Sequence, residues 1–155
     1  MSIEHYNMMK TRYENTKPIR GRNEDVRPIS DRRRDWERIV QDGDKYGARL
    51  YDTNCVMFCP DGSIELKTDT WATPTTASFI SQWSPYRNDC FKRYNKLWVN
   101  LNRTADEVGE TYPLPSHDVF ILKHVDGRYE PLVKPLKLWQ RKKVYKHTKM
   151  RLHYV

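Results

Sequence analysis

Turn residues recur along this chain at short intervals: Gln41-Asp42-Gly43-Asp44, Cys59-Pro60-Asp61-Gly62, Asn95-Lys96 and Asp126-Gly127. Short apolar or alternating segments fill the gaps, and such lengths suit strands better than helices. Trp36 to Val40, Tyr46 to Tyr51 and Thr53 to Phe58 read as extended. Within Cys59 to Gly62, proline presets φ and glycine accepts the left-handed position of a bulged hairpin. Ser63 to Lys67, where Ile64 and Leu66 alternate with polar residues, is the return strand. The first half is therefore expected to be a β-meander. Further on, Cys90 to Tyr94 and Leu97 to Leu101 flank Asn95-Lys96, and Asp118 to Val125 and Arg128 to Val133 flank Asp126-Gly127, two more hairpin signals.

One segment breaks this rhythm. Thr73 is a natural N-cap, Pro74 fits the first helical turn, and Thr76, Phe79, Ile80 and Trp83 share one face until Pro85 ends the run. Residues 1 to 30 are polar and carry Pro18 and Pro28, so they are expected to lie over the domain as an arm, with no more than a weak helix at residues 3 to 15. Residues 102 to 116 look like an exposed acidic linker, and the stretch from Pro135 onward reads as extended. These signals predict a β-rich α+β domain: a twisted antiparallel sheet or partly open barrel of about six to eight strands, with one helix at about residues 74–84. Residues 1–35 form the arginine-rich arm, 36–133 the globular domain and 134–155 a basic C-terminal segment.

The chain has 155 residues, 37% hydrophobic and 12% aromatic, enough for one real core. With 31% charged residues and a mean hydropathy of -0.93, no window approaches the roughly 18 apolar residues of a spanning helix. No membrane partner is expected. The opening MSIEHYNMMKTRYE has neither an apolar core nor a cleavage site of small residues, so the protein is expected to stay where it is made. Three cysteines, Cys55, Cys59 and Cys90, are too few for a disulfide framework and agree with a reducing compartment.

The net charge of +8 is unevenly spread. Eight cations and no acid fall in residues 131–155: Lys134, Lys137, Arg141, Lys142, Lys143, Lys146, Lys149 and Arg151. The other twenty Lys and Arg are matched by all twenty Asp and Glu. A second cluster hides in the balanced part, where seven arginines and no lysine lie between Arg20 and Arg38 among Glu24, Asp25, Asp31, Asp35 and Glu37. Guanidinium makes planar bidentate bonds to phosphate or carboxylate, whereas lysine acts as a hydrated point charge.

Several phrases together carry a resemblance: Pro18-Ile-Arg-Gly-Arg22, Arg27-Pro-Ile-Ser-Asp-Arg-Arg33, Leu50-Tyr-Asp-Thr53, Pro60-Asp-Gly-Ser-Ile64, Trp71-Ala-Thr-Pro-Thr-Thr76 and Leu97-Trp98-Val99. Over about residues 16 to 101 the chain resembles a group of small bacteriophage proteins that share a proline-arginine-glycine arm, an Asp-Gly hairpin and a Trp-x-Thr-x-Thr-Thr helix start. Asn54 stands where that group tends to have aspartate, and Asp69-Thr70 where it tends to have two glycines. The resemblance implies a phage gene product acting in the cytoplasm of an infected bacterium, or carried in the virion, and brings no established activity.

Nucleic-acid binding is the leading expectation. Lysines and arginines interleaved with Trp139, Tyr145, His147 and Tyr154 offer phosphate neutralisation and faces on which unpaired bases stack. The alternative makes Trp139, Leu138 and Val144 core and the lysines a solvated face. Likewise Arg20, Arg22, Arg27, Arg32, Arg33 and Arg34 could track a phosphate backbone, or pair with Asp31, Asp35 and Glu37 and pin the arm to the sheet. The expected binding residues are Arg20, Arg22, Arg32, Arg33, Arg34, Trp139, Arg141, Lys142, Lys143, Tyr145, Lys146, Lys149 and Arg151, with single-stranded DNA or RNA as partner. The rival is a protein-interaction module meeting an acidic protein, as a virion component or an inhibitor of a host protein. The Thr73 helix start could hold an anion, but capping alone explains it, and no phosphate loop is legible. Cys55 and Cys59 read as buried hydrophobes and not as zinc ligands. No catalytic motif, metal or cofactor is expected.

Overall fold

A computed structural model describes residues 3–85 and 88–133. Among them the order is α1 (Ile3–Asn15), β1 (Glu37–Asp42), β2 (Lys45–Leu50), β3 (Thr53–Phe58), β4 (Ile64–Leu66), α2 (Pro74–Trp83), β5 (Asp89–Arg93), β6 (Lys96–Leu101), β7 (Glu110–Pro113), β8 (Phe120–Val125) and β9 (Arg128–Pro131). The fold is β-rich α+β. Six strands form one antiparallel sheet in the order β1-β2-β3-β4-β8-β9, and β5-β6-β7 form a second. The first sheet stays open, so of the two architectures expected the twisted sheet is the one adopted. The six strands of the main sheet fall within the six to eight expected; the second, three-stranded sheet, inserted with α2 between β4 and β8, brings the strands among the described residues to nine.

The meander β1 to β4 is present, and each connection follows from its turn chemistry. Gly43 sits at φ 64 between the paired Asp42 and Lys45. Asp126 and Gly127, at φ 52 and 78, close β8 to β9 with both central residues left-handed, as a two-residue hairpin requires. In the β5–β6 hairpin the turn residues are Tyr94 and Asn95 (φ 54 and 57), with Arg93 facing Lys96, one position before the expected pair. Gly47 has a different reason to be glycine. A Cβ there would lie 2.0 Å from the Val56 carbonyl oxygen and 2.8 Å from the Met57 Cα, so β2 and β3 would have to separate.

Helix α2 matches its signals. The Thr73 Oγ1 accepts from the Thr76 N–H at 3.2 Å, Pro74 occupies the first turn and Ser84 caps the end. Thr76, Ala77, Phe79 and Ile80 are buried. Helix α1 spans Ile3–Asn15, where no more than a weak helix was expected, so the described residues carry two helices. Tyr6, Met9 and Tyr13 lie on one face, with the Tyr6 and Tyr13 rings 5.8 and 5.4 Å from Tyr46 and Met9 buried. A polar sequence with only a weak helical signal is held helical by tertiary packing on β2. The helices touch where the Arg12 guanidinium lies 4.8 Å from the Trp83 ring centroid.

The presumed linker, residues 102–116, also needs correction, because it contains β7. Thr111 and Tyr112 are buried, and Asn100 Nδ2 donates to Thr111 Oγ1 at 3.0 Å. The acidic stretch before it concealed a strand of four residues. A single core cluster joins both sheets and both helices, with Ile39, Ile64, Leu66, Ile80, Leu101, Leu122, Tyr112 and Tyr129 almost wholly enclosed. Each large aliphatic side chain buried in this way contributes about 1.5–3 kcal/mol.

Open sheets leave edges that other chains could pair with, and three of these edges are occupied. Along β1, Ile29 N–H donates to Glu37 O (3.1 Å) and Ile39 N–H to Arg27 O (2.8 Å), so the proline-bearing arm runs beside the strand. At β5, the Ser81 hydroxyl of α2 accepts from Cys90 N–H (2.7 Å) and donates to Cys90 O (3.0 Å). At β9, the Asn102 side-chain amide accepts from Tyr129 N–H (2.8 Å) and donates to Tyr129 O (2.7 Å).

Candidate nucleic-acid interface

The arginine cluster divides into two sets. Arg22 is ion-paired with Asp35, Arg27 with Asp25 at 2.9 Å, Arg34 with Glu37 at 3.5 Å and Arg38 with Glu24 at 3.4 Å. Arg27 is the most committed, since it also donates to the Tyr13 carbonyl at 2.7 Å and lies 4.1 Å from that ring's centroid. The second set is Arg20, Arg32 and Arg33. These side chains are exposed and make no ion pair or hydrogen bond among the described residues. Asp31, an expected partner, takes none of the arginines; Glu24 and Asp25 serve instead.

Arg32 and Arg33 project from a turn closed by Arg33 N–H donating to Ser30 O at 3.0 Å, with Arg33 at φ 52. The turn delivers the chain to Trp36, whose ring is 41% exposed and carries the Arg34 guanidinium 5.7 Å from its centroid. Trp36 O in turn accepts from Tyr51 N–H at 2.8 Å, which sets the β2–β3 turn beside it.

Tyr51 and Asp52 form that turn, with Leu50 facing Thr53 across it. Tyr51 adopts φ 53, and Arg49 holds the turn by donating to Tyr51 O at 3.0 Å. A second turn, Thr68 to Trp71, faces it. There Asp69 and Thr70 adopt φ 52 and 69, supported by Thr70 N–H donating to Ser116 O at 2.7 Å and Trp71 N–H to Thr68 O at 2.9 Å. Left-handed backbone at a β-branched threonine is a genuine outlier, and such strain concentrates at functional sites.

The two turns present Tyr51 and Trp71, each 61% exposed, at the mouth of a pocket of about 490 Å³. Leu50, Thr53 and Cys55 line it from the sheet, and Thr73, Thr75 and Thr76 from the start of α2. Among the described residues Asp52, paired with Arg49 at 3.8 Å, is the one acid that lines it, and no lysine or arginine does. A shallower cleft of about 340 Å³ adjoins it through the shared Leu50 and Thr75 and reaches Glu37, the partner of Arg34. Tyr51 and Trp71 thus line one pocket, and the backbone bond between Trp36 and Tyr51 sets the start of β1, with the arginine turn before it, next to the Tyr51 turn.

Cysteine chemistry is muted. Cys55 and Cys90 are buried, which pushes their thiols up to about 12, and burial raises Cys59 as well. All three stay protonated near neutral pH and act as small apolar residues. Among the described residues, no three His, Cys, Asp or Glu side chains are grouped to hold a metal ion. No described helix is long and apolar enough to cross a membrane.

Trp139, Arg141, Lys142, Lys143, Tyr145, Lys146, Lys149 and Arg151 lie outside the described residues. Sequence reasoning missed Trp36, Tyr51 and Trp71 as surface residues, although the last two had a signal. Tyr51 precedes Asp52 between two strands, a turn-tip position, and Trp71 precedes the N-cap, off the apolar face of α2. No family model matches the chain, and no curated protein or solved structure is significantly similar to it.

Proposed function

We propose that this protein binds single-stranded nucleic acid without catalysing a reaction on it, as a phage product working in the cytoplasm of an infected cell. The observation that carries the reading is the placement of Trp36, Tyr51 and Trp71, exposed, beside the uncommitted Arg32 and Arg33. Base stacking on exposed rings contributes about 1–3 kcal/mol per base, and arginine supplies the phosphate contacts that make such binding salt-dependent. Exposed rings stack unpaired bases and gain little from a duplex, whose bases are already stacked. Residues 134–155 would add a basic flank, increasing affinity without adding selectivity.

Titration of labelled single-stranded DNA, RNA and duplex at about 50 and 200 mM salt tests the reading. Single strands should bind more tightly than duplex, and affinity should fall steeply with salt. Absence of binding to every strand at about 50 mM overturns it, since phosphate contacts are strongest there. Recovery of one acidic host protein from nuclease-treated lysate, together with that negative result, would establish the protein-interaction alternative.

A further inference from the structure

We infer that the pocket between Tyr51 and Trp71 receives one unpaired nucleobase, with the phosphates of the same strand left outside on the arginine turn. This rests on the nucleic-acid reading above and adds to it a division of labour within the surface.

Charge placement is the first argument. Among the described residues no lysine or arginine lines the pocket, and its rim acid Asp52 is already paired with Arg49 at 3.8 Å, so a phosphate inside would meet no free counter-charge. A neutral ring meets no such penalty. The cations lie outside, at Arg32, Arg33 and Arg34, joined to the pocket through Trp36 and its backbone bond to Tyr51. A strand crossing this surface thus finds its two chemistries met by two neighbouring zones.

The second argument is the lining. At about 490 Å³ the pocket lies within the roughly 300–1,000 Å³ typical of small-molecule sites. Its walls are mostly apolar, with threonine hydroxyls that could meet a base's polar edge. The Thr73 and Thr76 hydroxyls bond to each other at 3.1 Å and are committed to the cap. Thr53 and Thr75 make no side-chain hydrogen bond among the described residues, so their hydroxyls remain available to donate or accept. The third argument is strain: three non-glycine residues at positive φ, Tyr51, Asp69 and Thr70, set the two turns that carry the rings. Such conformations persist where surrounding structure holds them, and here they fix the mouth of the pocket.

The test compares an oligonucleotide of about ten nucleotides with an abasic strand of the same length, which keeps sugars and phosphates but offers no ring. The full chain should bind the intact strand at least about tenfold more tightly than the abasic one. Trp71→Ala and Tyr51→Ala should shrink that ratio by lowering intact-strand affinity alone. Thr75→Leu, which fills the pocket without deleting a ring, should shrink it too and guards against a variant that fails to fold. Arg32→Ala with Arg33→Ala should weaken both strands equally and preserve the ratio. If the pocket variants weaken both strands alike, or leave the ratio unchanged, the base-pocket inference is overturned while nucleic-acid binding stands. If wild type binds neither strand at about 50 mM salt, the nucleic-acid reading falls and takes the pocket assignment with it.

Discussion

Arg27 and Arg33 belong to one arginine-rich stretch and end in opposite situations. Arg27 is pinned by Asp25, the Tyr13 ring and the Tyr13 carbonyl, while Arg33 reaches into solvent without a side-chain partner among the described residues. Side-chain chemistry is the same in both, so the backbone makes the difference. At Arg27 the chain runs beside β1, its carbonyl bonded to Ile39 N–H, and this holds the guanidinium over α1. After Ser30 the chain leaves the sheet in a turn, and Arg32 and Arg33 there make no ion pair among the described residues, while Arg34 beyond them reaches Glu37. A charged cluster can thus be half scaffold and half contact surface, with the division set by where an edge-covering segment departs.

The sharpest way to break this contrast is to treat both halves alike. Arg27→Ala should lower stability by about 3 kcal/mol, since it removes a charge-assisted hydrogen bond to a carbonyl, an ion pair and a cation–π contact. Thermal melting would show it, and strand affinity measured below the transition should stay near wild type. Equal stability would mean that Arg27 is as uncommitted as Arg33. Next, Trp36→Ala should weaken single-strand binding by about tenfold, corresponding to roughly one stacked base, with little change in melting. Unaltered affinity would remove Trp36 from the surface.

Smaller effects refine the boundary. Replacing Arg32 and Arg33 together with alanine should reduce the slope of log affinity against log salt by about 1.4, the value for two phosphates on a single strand. Stability should move by no more than about 0.5 kcal/mol, as for exposed sites generally. An unchanged slope would move the phosphate contacts elsewhere, with residues 134–155 the next place to look. Thr73→Ala should lower stability by about 1 kcal/mol through the lost cap. It should leave the salt slope untouched if the start of α2 only frames the pocket.

Much of the fold was legible because its turns are written in residues with narrow conformational preferences. Asp126-Gly127 and Gly43 announced their hairpins, and Thr73-Pro74 announced α2. Elements without such chemistry were harder to see. Helix α1 depends on Tyr46, a residue far along the chain, and β7 is defined by Tyr112 and the buried Asn100–Thr111 bond inside an otherwise polar stretch. The arginines were visible as a cluster, but their division was not, because it follows from the course of the arm and not from local charge pairing. Exposed aromatics were legible one at a time. Their placement was hidden, since Tyr51 and Trp71 come to one pocket, and Trp36 to the backbone beside Tyr51, only when β1, β2 and the start of α2 come together.

The Asn102 side chain offers both faces of an amide to Tyr129, standing where the peptide group of a neighbouring strand would be. Asn102 follows directly on β6 of the small sheet, while Tyr129 belongs to the outermost strand of the large one. A rim amide of this kind would ordinarily exchange its hydrogen with solvent after a minor local opening. Here the Tyr129 hydrogen is held by a residue at the end of the other sheet, so its exchange rate reports how readily the contact between the inserted β5–β7 unit and the six-stranded sheet opens.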